Sequence, residues 1–471
     1  MDRQLASISP VDGRVYVSRA YAKEHEAEQA LSLAAKAQKA WSKTSVAERV
    51  ALCEKMLAAF SGQKEQMVKE LCWMMGRPVR YGAGEIRGVE QRARYMMSIA
   101  GQALAPVCLD DEQGMQRFIK RQPLGVVFVI APWNYPYLTA VNSIVPAILA
   151  GNSVILKHSA QTPLCAEHFH RAFAQAGLPD GVFQYLHLTH TDTQKLLRQG
   201  NIHQVCFTGS VGGGHMVEQA LAGRFIGASL ELGGKDPAYV RPDADLDVAV
   251  ATAVDGAYFN SGQSCCAIER IYVHEDIYDA FVGQAVALVK QYRLGRPDDA
   301  GTTIGPMVRG EAADFVRGQI SRALEQGAVA HIHPEDGLDP LGLDKPGSPY
   351  LTPQLLTEVD HTMSLMKEES FGPVVGIQKV GSDEQALGLM NDSEFGLTAA
   401  IFTRDLARGI RLGEQIETGT FFINRCDYLD PALAWTGVKH SGRGCSLSRL
   451  GFDALTRPKS FLINPGEDGC F

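Results

Sequence analysis

Two adjacent thiols near the middle of the chain are the first residues whose type and setting could do chemistry. Cys265 and Cys266 follow a Gly262-Gln263 turn, between a small-residue helical segment at 249–257 and a strand-like run at 271–274. A cysteine at the mouth of a turn can be reached by substrate, whereas a cysteine on a helix face usually packs as a small hydrophobe. This stretch alone leaves a nucleophile and a pair of buried structural cysteines equally open.

Two polar side chains elsewhere have the types that acyl chemistry needs. Asn134 stands between Pro132 and Pro136, which restrict the backbone around an amide that could donate a fixed hydrogen bond. The alternative is an Asn that caps the next helix. Glu231 precedes two glycines in an apolar run, where burial would raise its pKa toward that of a general base. A solvated Glu at the end of a helix is the alternative there.

Three further motifs have the chemistry of a nucleotide site. Lys157 ends an apolar strand, where it could reach a ribose or phosphate, or lie on the surface. Gly209 and Ser210 begin a glycine-rich turn between a strand and a helix, which suits a pyrophosphate but is a weak signal alone. Glu369 belongs to an acidic pair before an aromatic residue and a Gly-Pro turn, where it could hold a sugar hydroxyl or lie in a charged loop.

The elements that must position these residues change character along the chain. Up to about residue 99 the apolar spacing predicts helices, among them one at 84–99. A glycine-rich run at 82–88 overlaps the start of that helix. That run is no dinucleotide fingerprint, because it has one residue too many and follows a helix. From residue 115 strands and helices alternate, which predicts mainly parallel sheets that bind ligands at the carboxyl ends of their strands. The terminal strand at 459–463 has no local partner, so a neighbouring sheet or subunit is expected to complete it.

Composition excludes several classes of function. The 471-residue chain has 45% hydrophobic and 21% charged residues, the values of a globular protein with two or three domains. A net charge of −8 gives no electrostatic footprint for nucleic acid or an anionic membrane. No apolar run is long enough to span a bilayer and the start is no signal peptide. Ten scattered cysteines without paired spacing indicate free thiols in a reducing cytoplasm.

Each motif is modest, but together and in this order they resemble the NAD(P)-dependent aldehyde dehydrogenase superfamily over nearly the whole chain. The matching motifs, in chain order, are PWN at 132–134, the strand-end Lys157, FTGS at 207–210, ELGGKDP at 231–237, NxGQxC at 260–265 and EExFGP at 368–373. The resemblance implies an α/β fold and a homodimer or homotetramer. Its expected parts are a Rossmann-like coenzyme domain at 1–102 and 123–235, a catalytic domain at 236–440 and a β oligomerisation arm at 103–122 and 455–466.

The resemblance also implies roles for individual residues. Cys265 would be the nucleophile and Cys266 its non-catalytic neighbour; the Asn134 amide and the Cys265 backbone N–H would hold the oxyanion, and Glu231 would activate the water that hydrolyses the thioester. NAD or NADP is the implied cofactor, and no metal is required. The residues expected to contact the cofactor are Lys157, Gly209, Ser210, Glu369, Phe371, Trp133 and Leu232. Those expected to line the aldehyde tunnel are Tyr135, Asn142, Cys266, Trp435 and Arg425.

Two departures from the family pattern, and one charged residue near the tunnel, bear on the cofactor and the substrate. The glutamate that usually follows the strand-end lysine is missing from Lys157-His158-Ser159-Ala160, so we predict that NADP is tolerated, with His158 near its 2′-phosphate. Cys445-Ser446 replaces an Arg-Glu pair that supports the subunit interface and a proton path in relatives. Arg425 could attract the carboxylate of a semialdehyde, although neutralisation by Asp427 is the favoured alternative.

Two other functions are compatible with the resemblance. A CoA-acylating relative would transfer the acyl group to CoA instead of water, but such relatives typically lack the glutamate seen at Glu231. A non-catalytic family member would have no need of Cys265 or Asn134, and both are present. The sequence therefore favours oxidation of an aldehyde to the free acid and leaves the identity of the aldehyde open.

Overall fold

The computed structural model describes residues 3–112 and 114–464. The helices are α1 (Glu24–Trp41), α2 (Val46–Ser61), α3 (Lys64–Met75), α4 (Val79–Ala103), α5 (Pro136–Leu149), α6 (Leu164–Ala176), α7 (His190–Gln199), α8 (Val211–Leu221), α9 (Leu246–Tyr258), α10 (Tyr278–Val289), α11 (Gly310–Glu325), α12 (Ser364–Lys367), α13 (Asp383–Asn391) and α14 (Leu406–Gly413). The strands are β1 (Gln4–Ile8), β2 (Val15–Ala20), β3 (Val107–Glu112), β4 (Met115–Pro123), β5 (Val126–Ala131), β6 (Ser153–His158), β7 (Phe183–Tyr185), β8 (Gln204–Thr208), β9 (Gly227–Glu231), β10 (Asp236–Val240), β11 (Ile268–His274), β12 (Val329–Ala330), β13 (Gln354–Thr357), β14 (Val374–Val380), β15 (Phe395–Gly396), β16 (Thr398–Phe402), β17 (Thr420–Ile423), β18 (Val438–Lys439), β19 (Gly442–Arg443) and β20 (Thr456–Ile463).

The first large sheet has the order β19-β9-β8-β5-β6-β7 and is parallel except for β19 at its edge. Every residue of β5 is buried, as expected of a strand covered on both faces. Val127 and Val129 pack into the core that contains α5 and α6, while Phe128 and Ile130 pack into the core that contains α1 and α7. This alternation fixes the strand between two helical layers and presents its carboxyl end to the site.

The second large sheet has the order β12-β13-β14-β11-β10-β16-β17, with only β12 antiparallel. Its strand β11 follows the cysteine turn, and α9 precedes that turn. Ile271 and Val273 of β11 pack against α9 and α10 in one apolar core, and Tyr272 belongs to the core on the opposite face. The turn that carries Cys265 is therefore held between a buried helix and a buried strand.

A third sheet, of three strands, has the order β20-β4-β3. The terminal strand β20 pairs antiparallel with β4 of the same chain, with Lys459 opposite Lys120 and Phe461 opposite Phe118. A sheet of its own chain thus completes the terminal strand. The partner is not local, because β4 lies more than three hundred residues earlier. The domain and arm boundaries remain predictions, and residues 1–2, 113 and 465–466 of those units lie outside the described part.

Two other expectations change in detail. An antiparallel hairpin of β1 and β2 precedes the first of the helices predicted up to residue 99. Helix α4 begins at Val79, directly after Pro78, so it starts five residues before the predicted bound and takes in the whole glycine-rich run at 82–88. No helix in the described ranges is both long and apolar enough to cross a bilayer.

Candidate active site

A single 3-10 turn at Phe259–Gly262 sets the position of the two cysteines. Its backbone is left-handed at Asn260 (φ 55°), Ser261 (φ 57°) and Gly262 (φ 69°), a region where glycine is unstrained. A side chain at residue 262 would also lie 2.2 Å from the Gly372 carbonyl oxygen, so only glycine fits. The turn leaves Cys265 half-buried and packs Cys266 at 2% exposure.

Cys265 opens into a cavity of about 330 Å³, a volume that accommodates a small molecule. The predicted residues that line it are Cys265, Cys266, Glu231, Tyr135, Asn142 and Trp435. Arg92, Asp255 and Asp427 also line it, although the sequence analysis predicted none of them as cavity residues. Arg425 does not line this cavity: it is exposed, and its guanidinium stacks 3.6 Å above the Tyr428 ring.

Asn134 is held beside the cysteine loop. Its Nδ2 donates to the Gln263 carbonyl oxygen at 3.1 Å, which leaves the second amide hydrogen available. The alternative role as a helix cap is wrong, because α5 is preceded by Tyr135 and its first turn donates instead to Glu85, with Tyr137 N–H to Oε1 at 2.8 Å. The Cys265 backbone N–H donates to no acceptor in the described ranges, so one free donor belongs to the cysteine itself and another to the amide that is bonded to its loop.

Arg77 joins the loops that carry Asn134 and the cysteines. Its guanidinium pairs with the buried Glu85 carboxylate and donates to Asn260 Oδ1 at 3.1 Å and to the Asn134 carbonyl oxygen at 2.6 Å. Neither charged residue belongs to the predicted site. The available signal was Glu85, a charged residue on the face of α4 that also buries Ile86 and Val89.

Glu231 ends β9 and points into the same cavity as Cys265. Its carboxylate accepts hydrogen bonds from Ser446 Oγ at 2.5 Å and Thr208 Oγ1 at 3.3 Å. Burial raises the pKa of Glu231, while these two hydrogen bonds and the Arg92 charge oppose the rise. The alternative of a solvated residue at a helix end is wrong, since the residue closes a strand. Ser446, which replaces a family glutamate, is now a direct partner of Glu231.

A third carboxylate lies beneath the second thiol. Asp427 Oδ1 accepts from Cys266 Sγ and from Ser264 Oγ, each at 3.0 Å. Burial raises the pKa of Asp427 to about 6. The hydrogen bond with Cys265, followed by burial, raises the pKa of Cys266. The favoured Arg425–Asp427 ion pair is absent from the described residues, because Asp427 is turned toward the cysteine loop.

The glycine-rich turn lies at the carboxyl end of β8, beside that of β5. In this sheet β6 lies on one side of β5 and β8 on the other, so the strand order reverses at β5. Parallel sheets bind ligands at such a point, beyond the carboxyl ends of their strands. Ser210 caps α8 by accepting the Gly213 N–H at 3.2 Å. A helix N-terminus behind Gly209 at this edge fits the pyrophosphate of a dinucleotide.

Lys157 and His158 end the adjacent strand β6, and both are buried. Burial lowers the pKa of Lys157 to about 8, so the alternative of a surface lysine is wrong. His158 faces inward: its Nε2 lies 3.1 Å from the Pro136 carbonyl oxygen, and Nδ1 accepts the Ser159 N–H. Burial lowers its pKa to about 4. His158 is therefore neutral at neutral pH and supplies no charge to a 2′-phosphate, which corrects that part of the expectation.

The Glu369 side chain lies against the Gly233-Gly234 pair that follows Glu231. Its Oε1 accepts the Gly234 N–H at 3.0 Å, and a side chain on Gly233 would lie 2.5 Å from its carboxylate. Burial, reinforced by the Glu269 charge, raises the pKa of Glu369 to about 7. Nearby, the Trp133 and Phe371 rings pack edge to face at 5.8 Å. A carboxylate beside the turn and two packed aromatic rings fit the ribose and ring of a nicotinamide nucleotide.

Comparison with known proteins identifies the family. The profile described as "Aldehyde dehydrogenase family" matches residues 1–461. The chain belongs to this family. This aldehyde dehydrogenase is 33% identical over 447 residues to the succinate semialdehyde dehydrogenase [NAD(P)+] Sad of Escherichia coli, covering 94% of this chain and 95% of the relative. It is 34% identical over 429 residues to the succinate-semialdehyde dehydrogenase [NADP(+)] of Mycolicibacterium paratuberculosis, covering 90% and 89%.

Solved structures agree with the fold. The succinate-semialdehyde dehydrogenase of Burkholderia pseudomallei superposes with a TM-score of 0.93 at 28% identity, covering 98% of this chain and 95% of that one. PnpE in complex with nicotinamide adenine dinucleotide gives a TM-score of 0.92 at 29% identity, covering 98% and 94%. The predictions of an aldehyde dehydrogenase fold, of aldehyde dehydrogenase activity and of NAD or NADP as cofactor are confirmed.

Proposed function

We propose that this aldehyde dehydrogenase oxidises a small semialdehyde to the free acid through a covalent intermediate on Cys265. The relatives named above as succinate semialdehyde dehydrogenases support the substrate class. The observation that carries the mechanism is that Cys265 and Glu231 line one cavity. A nucleophile and a base that share a cavity can act in turn on one acyl group.

The first half of the reaction uses Cys265 and the donors beside it. The Cys265 thiolate adds to the aldehyde carbon, which gives a thiohemiacetal whose oxyanion accepts hydrogen bonds from Asn134 Nδ2 and the Cys265 backbone N–H. Donors held in place before reaction stabilise such an oxyanion without reorganising. NAD or NADP, when bound, supplies the acceptor for the hydride. Loss of the hydride leaves a thioester on Cys265.

The second half uses Glu231. Its carboxylate takes a proton from a water molecule that attacks the thioester carbon, and the C–S bond breaks to release the acid and the Cys265 thiolate. A base is most effective when its pKa lies near the working pH, and burial moves the pKa of Glu231 upward. Its presence favours water over CoA as the acyl acceptor.

The cofactor would lie along the carboxyl ends of the first sheet. The backbone at Gly209 and Ser210 would face the pyrophosphate, Lys157 the adenosine ribose and Glu369 the nicotinamide ribose. The apolar side chains expected to contact the cofactor are Trp133, Phe371 and Leu232. The protein is expected to be a cytoplasmic homodimer or homotetramer; light scattering on the purified protein tests the oligomeric state, and cell fractionation tests the location.

The decisive experiment follows NAD(P)H formation and acid release separately. Cys265→Ala should abolish both, whereas Cys266→Ala should retain most activity, because the Cys266 thiol is buried and donates to Asp427. Glu231→Gln should give a burst of NAD(P)H near one per active site and then stall, because the thioester accumulates. Equal losses in the two cysteine variants would contradict the nucleophile. If CoA relieves the stall of Glu231→Gln, and its turnover with CoA exceeds that of wild type with water, transfer of the acyl group to CoA is favoured.

A further inference from the structure

We propose that Arg92 and Asn142 form the subsite that binds the carboxylate of the substrate, an inference that rests on the proposed semialdehyde oxidation. Arg92 lies on α4 and Asn142 on α5, and both line the cavity that contains Cys265. Neither helix belongs to the motif loops that carry the chemistry. The subsite is therefore built from the helical wall of the cavity.

Arg92 is a half-buried cation without a carboxylate partner. Its Nη1 donates to the Leu138 carbonyl oxygen at 2.9 Å and to Asn142 Oδ1 at 3.2 Å. Among the described residues, no Asp or Glu oxygen lies within the 4.0 Å of an ion pair with it. A guanidinium withdrawn from water is costly unless an anion compensates it. Its planar fork of N–H donors matches the two oxygens of a carboxylate.

Asn142 supplies a second, independent indication. The residue is 2% exposed, and its Nδ2 is a buried donor with no hydrogen-bond partner in the described part of the chain. The bond from Arg92 occupies Oδ1, which orients the amide so that Nδ2 remains free. A buried donor left unpaired is destabilising. A bound carboxylate would satisfy this donor and the guanidinium at once, whereas an apolar aldehyde tail would satisfy neither.

The other charges of the cavity define where an anion fits. Glu231, Asp255 and Asp427 also line it, and Asp427 Oδ1 already accepts hydrogen bonds from the cysteine loop. Arg92 is the cavity's cationic side chain, and it lies near enough to Cys265 and Glu231 for their charges to interact. The carboxylate of a substrate is thus attracted to the α4 wall of the cavity and repelled from the walls that carry the three acidic side chains. This arrangement favours a semialdehyde bound in one orientation.

The test compares two aldehydes of one shape: succinic semialdehyde and its isostere in which an isopropyl group replaces the carboxylate. The measured quantity is selectivity, the ratio of the two kcat/KM values. A hydrogen bond to a charged group corresponds to a change of roughly 10- to 100-fold, so Arg92→Met should lower selectivity by that factor. Asn142→Leu should lower it by roughly 10-fold, the lower end of that range, because its donor is a neutral amide. Arg94→Met, on the same helix but exposed and paired with Glu54, is the matched control and should leave selectivity unchanged.

Two kinetic results would overturn the proposal in different ways. If the wild type oxidises both aldehydes with equal efficiency, the semialdehyde function itself fails, and the subsite fails with it. If the wild type prefers succinic semialdehyde and Arg92→Met keeps that preference, the function stands and the subsite alone is wrong. The ratio is used because the Arg92 charge also acts on the Glu231 carboxylate, so Arg92→Met can lower the rates for both aldehydes together.

A binding measurement gives a readout without turnover. Succinate, which carries the same carboxylate, should raise the melting temperature of wild type and of Arg94→Met, and should have little effect on Arg92→Met. Sulfate serves as the unspecific anion. Equal stabilisation of wild type and Arg92→Met by succinate would refute the subsite, as would stabilisation of wild type by sulfate equal to that by succinate.

Discussion

Replacement of Lys157 by methionine should stabilise the protein while it weakens NADP binding. Lys157 is 7% exposed at the carboxyl end of β6, and burial lowers its pKa from the ordinary 10.5 to about 8. No other charge contributes to that shift. At neutral pH the side chain is therefore protonated in a place that disfavours its charge, which is the pattern of a residue retained for a ligand and not for the fold.

The magnitude follows from the two pKa values. A difference of about 2.5 units at 1.36 kcal/mol per unit amounts to roughly 3 kcal/mol. Because the folded pKa is the lower one, the unfolded chain holds more protons between about pH 8 and 10.5. The cost is thus fully present below pH 8 and disappears as the pH rises toward 10.5. Lys157→Met should gain about 3 kcal/mol at pH 7 and much less at pH 10.

Urea unfolding of the apoprotein at both pH values measures this gain. Lys55→Met, on the exposed side of α2, is the control and should change stability by less than about 0.5 kcal/mol. In cofactor titrations Lys157→Met should lose more affinity for NADP than for NAD, because the additional phosphate loses its nearby cation. The reasoning is refuted if the variant is no more stable than wild type at pH 7, or if its gain is the same at pH 10.

Three other residues give equally direct predictions. Ser446→Ala removes a hydrogen bond that favours the ionised form of Glu231, so the acid limb of thioester hydrolysis should move up by roughly one pH unit in single-turnover experiments; an unmoved limb would exclude this role. Glu369, with a pKa of about 7, should bind the cofactor more tightly as the pH rises from 6 to 8, because the carboxylate accepts from the ribose hydroxyls. Glu369→Gln should bind weakly at every pH in that range, and a pH dependence that persists in the variant would assign it to another group. Arg77→Met leaves the buried Glu85 without its partner and should cost about 3–5 kcal/mol in denaturant unfolding; a loss below about 1 kcal/mol would show that the ion pair is not needed.

The extent to which the site could be predicted depends on how far apart its residues lie in the chain. The spacing from Asn260 to Cys265 predicts which of the two thiols reacts, and the order of the motifs indicates the family. Both are patterns of residue type along the chain, which do not depend on knowing which residues meet in space. The alternation of strands and helices predicts the parallel sheets for the same reason. Burial of the whole of β5 follows from its continuous apolar run.

Tertiary packing alone decided which polar groups meet. Arg77 contacts Asn260 across 183 residues, and Ser446 contacts Glu231 across 215. No local pattern encodes such pairs, because each depends on the way separate helices and sheets pack. Packing also turns His158 inward. It brings Arg92 into the cavity in place of Arg425. The sequence by itself thus predicted which of the two thiols reacts, and the packed fold determined the charges that surround it.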